Sequence, residues 1–573
     1  MKTAVAIIGG GPAGLMLAIE LGCRGIPCTL LEENPSPPLL PKANATSART
    51  MEHYRRRGFA NQIRALGLPD QHAQDIVYTT TIAGRELTRF QIPSAGQARA
   101  QTWFGDYGAA AWPTPELPHR AQQMYIEPIL KAQAESHASV SLRFGARALA
   151  VADLGDSAQV SFVDTATGQS HLLDADQVVG CDGPRSLVRR SMGVAYGGQG
   201  LVKRDFMGGQ MLSIYFRAPD LVARLGKPRA WQYWAVNRQQ RGLLCAINGC
   251  DSFVLLVQLA DGAQPGDIDV QAVFDQAIGV AFAHEVIALT PWNAGYALVA
   301  ERFRKGRLML AGDAAHLFTP TGGMGYNTSV DDAVNLGWKL AQVLHGGAPE
   351  ALLDSYEAER RPIAQRNTSF ARSMAESIGN LPVPADADAP GPAGDAARGA
   401  LSQALARHVA SEFNIPGLQL GVCYAGSPIV AREATAPPPD EPNHYQPSGY
   451  PGARAPHVVV GDAVVGDAVE GHAVVGAASL LDYFGRDFTL LVFDAGPTLA
   501  WERAAGLLGL RLTLLRWDNA AAQSLYGAAR VLIRPDHHIA WRGPADAPAG
   551  PPLARATGRM ADIPQEPIDG TPE

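Results

Sequence analysis

The chain begins with short apolar runs set between glycine-rich and acidic breaks. AVAII, residues 4–8, is an uninterrupted apolar run of the length expected for a buried parallel strand. AGLMLAIELGCRG, 13–25, spaces its apolar side chains helically and stops on Gly25. PCTLLEE, 27–33, is a second strand that ends on acid. Residues 36–70 start proline-rich and then turn helical in SARTMEHYRRRGFANQIRALG, and 120–137 form a further helix. Residues 140–180 alternate as strands do and close on DQVVGCDG.

From Phe206 to Leu259 the pattern changes to MLSIYFRAP, RAWQYWAVN, GLLCAING and SFVLLVQL. Period-two alternation with aromatics predicts a half-buried antiparallel sheet. RLMLAGDAAH then reads as a strand entering a loop, and SVDDAVNLGWKLAQVL as a helix, with helical segments continuing to Gly379. NLPVPADADAPGPAGDAARG is rich in Pro, Ala, Gly and Asp and reads as a linker or surface loop. Alternating strand and helix signals return between Asp482 and Gly543. The repeat GDAVVGDAVEGHAVV, Gly461–Val475, has too few units for a solenoid and reads as a loop or extended hairpin. The Pro/Ala-rich tail after Gly543 is expected to be poorly ordered.

Length and charge narrow the class. At roughly 150 residues per domain, the 573 residues predict two to four domains. A net charge of −7 gives no reason to expect nucleic acid or an anionic membrane as partner. Cys23, Cys28, Cys181, Cys245, Cys250 and Cys423 form no C-x-x-C pair, so no metal site is expected and the thiols should be reduced. No signal peptide is expected ahead of the first strand, and no apolar run is long enough to span a bilayer. The expectation is a cytoplasmic protein.

Three fragments converge on one cofactor. In GGGPAG, Gly9, Gly11 and Gly14 fit G-x-G-x-x-G between a strand and a helix. Such glycines permit a tight turn and let the backbone approach a pyrophosphate at the helix N-terminus. Glu32 ends the second strand 18 residues past Gly14, where a carboxylate accepts ribose hydroxyls. This strand–helix–strand–acid context separates the motif from an ordinary βα turn. VVGCDGPRS places Asp182 and Gly183 at a strand end, which by itself is only a turn. In GDAAHLFTPTGGMGYN, Asp313 follows an apolar strand and can hold a ribityl hydroxyl. The glycine loop after it can place N–H groups against an electron-rich ring edge.

The ordered set resembles the single-component FAD-dependent aromatic hydroxylases typified by para-hydroxybenzoate hydroxylase. SARTMEHYRRRG resembles the segment whose arginine reaches the flavin diphosphate, here Arg49; PHRAQQMYIEPIL resembles the segment whose glutamine touches the flavin, here Gln123. LLDSYEAERRP matches the family's helical ending. YQPSGYPGARAPHVVV, LLDYFGRDFTLLVFD and LYGAARVLIRPDHHIAWRG resemble the thioredoxin-like extra domain of the branch containing phenol hydroxylase, 2,4-dichlorophenol hydroxylase and 2-hydroxybiphenyl 3-monooxygenase. Without a C-x-x-C, that domain is assigned to structure or dimerisation, and a homodimer is expected.

The resemblance implies an α/β fold. It has a Rossmann-like FAD-binding domain (1–190 and, with helices, 296–380), an inserted antiparallel β-sheet substrate domain (191–295), a linker or loop (381–400) and the thioredoxin-like domain (401–573). The implied cofactor is FAD, held by the residues above with Gly323, Gly325 and Asn327; NAD(P)H binds transiently and O₂ is the oxidant. In the implied reaction, a flavin C4a-hydroperoxide transfers OH to a phenolic ring of a small aromatic substrate, ortho to its hydroxyl, with Pro320 near the site of transfer. Tyr215 and Tyr233 are candidate catalytic groups, and Gln232 and Trp234 candidate substrate contacts, with plain core as the competing reading. Of Gln232 and Tyr233, at most one should face the ring. Asp205 is an acid–base candidate, with a loop salt bridge as the alternative. Relatives often carry a His or Asp near LLPKANATS, where this chain has Leu40, Lys42, Asn44 and Thr46; a solvated or phosphate-facing Lys42 competes with a phenolate-stabilising one. His316 is read as structural. Two alternatives stay open: tailoring of a larger polyketide or alkaloid aromatic, and a non-catalytic flavoprotein.

Overall fold

A computed structural model describes residues 1–100, 111–202, 204, 206–259, 262–460 and 479–559. The chain divides into two compact units: Met1–Val334 with Arg361–Leu420 and Glu441–Tyr445, and Asn335–Arg360 with Gly421–Asp440 and Gln446–Glu573.

The first unit is built on a sheet in the order Arg304–Lys305, Leu308–Leu310, Ser170–Gly180, Lys2–Ile8, Cys28–Glu32, Val140–Phe144. Lys2–Ile8 pairs in parallel with both Cys28–Glu32 and Ser170–Gly180, and Leu308–Leu310 pairs in parallel with Ser170–Gly180. Val5, Ala6 and Ile7 are fully buried, as a strand covered on both faces requires. Parallel pairing also has a functional consequence. The chain leaves these strands at one edge, so the segments bearing Gly9, Glu32, Asp182 and Asp313 meet there, the usual ligand edge of such sheets. The first helix, Pro12–Gly22, starts with Gly11 as its N-cap and buries nearly every side chain. The predicted helix after the proline-rich stretch is two helices, Ala48–Arg56 and Ala60–Arg64. They part at Gly58, whose φ is 80°.

The second sheet runs Glu285–Ala294, Gly209–Arg217, Ser252–Gln258, Gly242–Ala246, Gln232–Ala235, Ile76–Thr79, Glu86–Phe90. It departs from the sequence-based expectation in three ways. Residues 76–90 lie within the span expected to be FAD-binding, yet they add two strands here. Ile76–Thr79 joins Gln232–Ala235 in parallel within an otherwise antiparallel sheet. The central strands are buried on both faces rather than half-buried, because Phe274 of the helix Val270–Ala277 closes one side.

The expected linker 381–400 is helical from Gly391 onward, within a helix Gly391–Phe413. Leu401, Leu405 and Val409 of that helix enter the core of the second sheet. Residues 401–420 therefore belong to the first unit, and the expected start of the C-terminal domain at 401 moves later.

The second unit holds a sheet ordered Leu512–Arg516, Phe488–Val492, Arg530–Ile533, Ile539–Gly543. The first two strands are parallel and the remaining pairs antiparallel. Helices Leu499–Leu507 and Ala520–Tyr526 lie between strands in sequence, and Gly550–Ala556 follows the last. That last helix corrects the expectation of disorder directly after Gly543: Leu553 is fully buried. The repeat Gly461–Val475 lies outside the described residues.

This unit encloses a buried charge cluster. Glu359 accepts from Arg534 Nη1 and Nη2 at 2.7 and 2.9 Å, Lys339 Nζ at 2.7 Å, Asn335 Nδ2 at 2.7 Å and Ser427 Oγ at 2.6 Å. Asp536 Oδ2 accepts from Arg534 Nη2 at 2.6 Å and from Trp338 Nε1 at 3.1 Å. Burial alone would raise the Glu359 carboxyl; Arg534 and Lys339 outweigh it and hold it at about 2.

Candidate active site

The glycines of the first loop have distinct steric jobs. A Cβ on Gly14 would stand 2.0 Å from the Gly9 carbonyl oxygen, and one on Gly9 would stand 2.2 Å from the Cys181 carbonyl oxygen. These two residues let the loop, the first helix and the neighbouring strand end pack together. Gly11 differs: a Cβ there meets nothing within 4 Å, so it faces open space at the helix N-terminus. Glu32 Oε2 accepts the Gly10 N–H at 2.7 Å, and its Oε1 accepts the backbone N–H and Nδ2 of Asn34. The carboxylate thus fixes the loop from the adjacent strand end.

Asp313 follows the strand Leu308–Leu310 in a single tight turn, Gly312–Ala314, for which Gly312 takes φ 63°. Its backbone carbonyl accepts the Tyr196 hydroxyl at 2.5 Å. Its carboxylate is accessible, has no hydrogen-bond partner among the described residues, and lies deep enough that desolvation raises it; His316 and Lys42 pull it back down. Lys42 also acts on Glu127, so its ammonium lies on this side of the unit. Asp332, which sequence reasoning missed, sets this turn: its Oδ2 contacts His316 Nε2 at 2.6 Å and accepts the Gly312 N–H at 3.1 Å. His316 is fully buried, in keeping with its structural reading. The missed signal was the adjacent pair DD in SVDDAVN, whose side chains leave a helix about 100° apart and so reach different partners. Asp331 accordingly meets His53 Nε2 at 2.8 Å.

The glycine loop Thr321–Gly323 leads directly into the helix Met324–Leu344, with Gly322 at φ 69° and Gly323 at φ 63°. The first-turn N–H groups of that helix lack intrahelical partners. Pro320 is exposed at the start of the loop. Asn327 is a clamp: its Oδ1 accepts from Ser47 N and Thr50 Oγ1, both at 2.8 Å, and its Nδ2 donates to Ala45 O and Gly323 O at 2.9 and 2.7 Å. Its side chain is therefore spent on protein, and it can serve a cofactor only by shaping the loop. Gly325 has ordinary clearance from Phe318. Arg49 is buried and pairs with Glu52 at 2.9 Å. Gln123 opens the helix Gln123–Glu135 and donates to Glu127 Oε1 at 2.5 Å. Asp182 Oδ2 accepts the Leu187 and Val188 N–H groups at 2.6 and 3.2 Å, capping the short helix beyond it.

The candidate residues of the second sheet separate by register. Tyr215 faces Val254, Val254 faces Cys245, and Cys245 faces Gln232, so these four share one face of the sheet. Trp234, two residues from Gln232, lies on that face and stacks on Tyr78 with ring centroids 5.4 Å apart. Asn44 of LLPKANATS lies close enough to act on the Cys245 thiol, so the segment expected to carry an acid–base group borders this face. Trp234 Nε1 donates to Gln232 Oε1 at 3.0 Å. Tyr233 points to the opposite face; its hydroxyl accepts the Ala230 N–H at 2.8 Å and donates to Pro228 O. Strand alternation removes it from the catalytic set. Asp205 lies outside the described residues.

The cradle at the first sheet fits a flavin dinucleotide. It offers open space before a helix N-terminus, a carboxylate at the end of the second strand, and an accessible carboxylate without a described partner beside a glycine loop. No cluster of metal-ligating side chains occurs among the described residues, and no described helix is long and apolar enough to cross a membrane. Fold and site together define a flavin-dependent oxidoreductase.

Residues 2–371 match the FAD binding domain family, and residues 448–564 match the aromatic-ring hydroxylase C-terminal family. The chain belongs to the FAD-dependent aromatic-ring hydroxylases. It is 32% identical to 4-methyl-5-nitrocatechol 5-monooxygenase of Burkholderia sp, over 95% of this chain and 94% of that protein. Identity to aklavinone 12-hydroxylase RdmE of Streptomyces purpurascens is 30%, over 94% and 95%. Among solved structures, chromopyrrolic acid-soaked RebC with bound 7-carboxy-K252c aligns with a TM-score of 0.85 at 30% identity, covering 98% and 99% of the two chains. The protein is an FAD-dependent aromatic hydroxylase, with NAD(P)H as co-substrate. These likenesses support the broad family rather than the phenol-hydroxylase branch expected from the sequence.

Proposed function

We propose that this hydroxylase tailors a polyketide- or alkaloid-type aromatic larger than a simple phenol. The supporting observation is the near full-length likeness to an aklavinone hydroxylase and to RebC, which favours the larger-substrate alternative over phenol catabolism. The likeness to a nitrocatechol monooxygenase keeps the single-ring reading as the competitor.

FAD supplies the reducible ring that activates oxygen. The chain's own residues would then divide the remaining work. Gly9, Gly11 and Gly14 would admit the pyrophosphate to the helix N-terminus, Glu32 would border the ribose, and Asp313 would take a hydroxyl of the flavin's ribityl chain. The loop from Pro320 to Gly325 would border the reacting ring. The face bearing Tyr215, Gln232 and Trp234 would orient the substrate against it and exclude water. Arg49, Gln123 and Asp182 would border the same cradle, Asp182 with Oδ2 on the short helix beyond it and Oδ1 uncommitted. The C-terminal unit has strands and helices in the order β-α-β-α-β-β-α, which supports the thioredoxin-like reading in a structural role.

The test uses the FAD-loaded enzyme with NAD(P)H, O₂ and phenols graded from one ring to four fused rings. The expected result is accelerated flavin reduction and a product with one added oxygen for the fused-ring compounds. Stimulation confined to single-ring phenols would return the assignment to phenol catabolism.

A further inference from the structure

The helix Gly391–Phe413 carries His408 and Glu412 one turn apart, on the same face and both buried. Neither was singled out by the sequence, and neither belongs to the motifs assigned to FAD. Glu412 Oε1 accepts the Gly322 N–H at 2.8 Å, inside the glycine loop that precedes the helix Met324–Leu344. Glu412 Oε2 lies 2.9 Å from His408 Nε2, an ion-pair distance outside hydrogen-bond alignment. His408 Nδ1 contacts Ser377 Oγ at 3.1 Å, and its ring stands edge-on to Tyr78, with centroids 6.3 Å apart. Tyr78 in turn stacks on Trp234.

The loop is thus held from three sides. Thr321 Oγ1 donates to Ala371 O at 2.5 Å, Asn327 Nδ2 donates to Gly323 O at 2.7 Å, and Glu412 takes the N–H between them. Only the third of these holds the loop with a carboxylate. An ionised acceptor strengthens the bond and fixes a negative charge one hydrogen bond from the loop. Only glycine takes this position without strain: φ is 69°, and a Cβ there would approach Phe370 Cε1 to 3.0 Å.

We propose that Glu412, braced by His408, is a positioning residue for the flavin-side glycine loop, locking Gly322 in place and setting the electrostatic potential at that edge of the cofactor. This rests on the proposed placement of the loop beside the flavin ring. Glu412 touches neither cofactor nor substrate in the proposal; it acts through Gly322. Two separable effects follow. The acceptor oxygen holds the loop and therefore governs FAD affinity. The charge disfavours the anionic reduced flavin and therefore governs the reduction equilibrium.

Two variants separate these effects. E412Q keeps volume and an acceptor oxygen but removes the charge; E412L removes both. FAD affinity is measured by fluorescence titration of the apoprotein, and the reduction equilibrium by titration against a reference dye. In E412L, FAD affinity is expected to fall about ten- to a hundredfold, the range of a hydrogen bond to a charged group. In E412Q, affinity is expected to stay within about threefold of the parent, while the reduced-to-oxidised ratio at fixed potential rises about tenfold, or about 30 mV for a two-electron couple. An E412Q protein with unchanged potential would overturn the electrostatic role. An E412L protein that binds FAD like the parent would overturn the positioning role; should E412L fail to fold, a loss of affinity in E412Q as large as tenfold would overturn the division between acceptor and charge. Failure of the unsubstituted protein to bind FAD would instead strike the proposed function itself.

Discussion

The flavin-side cradle and the charge cluster of the C-terminal unit both gather carboxylates, and they do so in opposite ways. Around Glu359 and Asp536 the carboxylates are matched by Arg534 and Lys339 and then by Asn335, Ser427 and Trp338. The cradle keeps an accessible carboxylate, Asp313, without a described partner, and open space in front of Gly11. Desolvating a charge is costly unless protein groups compensate it. A saturated cluster is therefore structure, whereas a carboxylate without a described partner keeps bonding capacity that a ligand could use.

The largest effect should come from breaking the saturated cluster. R534M leaves Glu359 and Asp536 buried with fewer partners, and urea denaturation should show a loss of about 3–5 kcal/mol. FAD affinity of the folded fraction should not change, and an equal loss in both quantities would erase the contrast between the two regions.

Acid attacks the same cluster. The Glu359 carboxyl is held at about 2 in the fold against an ordinary value of 4.5. A depressed folded-state value contributes stability above the unfolded value and loses it as pH falls toward the folded one. Stability from this group should be complete above pH 4.5 and vanish by about pH 2, amounting to about 3 kcal/mol. Thermal unfolding across that window, compared with E359Q, checks it: the variant should lack this component of the slope.

In the cradle the order of effects reverses. D313A should lose about 1.5–3 kcal/mol of FAD binding, emerging with little yellow colour. Its apoprotein stability should stay within about 0.5 kcal/mol of the parent, since no described partner is lost. Full flavin occupancy, read from the visible-to-ultraviolet absorbance ratio, would show that Asp313 has been misassigned.

Among the cradle variants, the smallest effect on FAD binding belongs to G11A. Its methyl enters open space, so the apoprotein should lose only up to about 1 kcal/mol, through the poorer N-cap. FAD affinity should still fall about tenfold or more, because that space is where the pyrophosphate must approach. G14A, whose Cβ would strike the Gly9 carbonyl oxygen at 2.0 Å, should by contrast damage fold and binding together. Differential scanning calorimetry of both apoproteins separates the two glycines.

Much of the cradle could be read from the chain because its demands are local. A tight turn needs glycine, an anion at a helix start needs N–H groups that no side-chain cap occupies, and an acid at a strand end needs only the strand before it. Gly9, Gly14, Glu32 and Asp313 follow from such short-range rules, and parallel pairing delivers them to one edge. Tyr233 shows the limit. Its neighbours, the polar Gln232 and the aromatic Trp234, look equally suited to a site, and only the sheet register tells which face each takes.

The sequence by itself determined the flavin fold and the spacing of its cofactor motifs, since backbone geometry limits which residues can occupy those turns. Only the tertiary structure decided that residues 76–90 complete the substrate sheet, that the Ala-rich segment from Gly391 is a core helix, and that Glu412 reaches Gly322. Those contacts join positions 90 and 156 residues apart in the pairs Gly322–Glu412 and Ile76–Gln232. At such separations local propensity carries no signal, and burial of a shared core selects the partners.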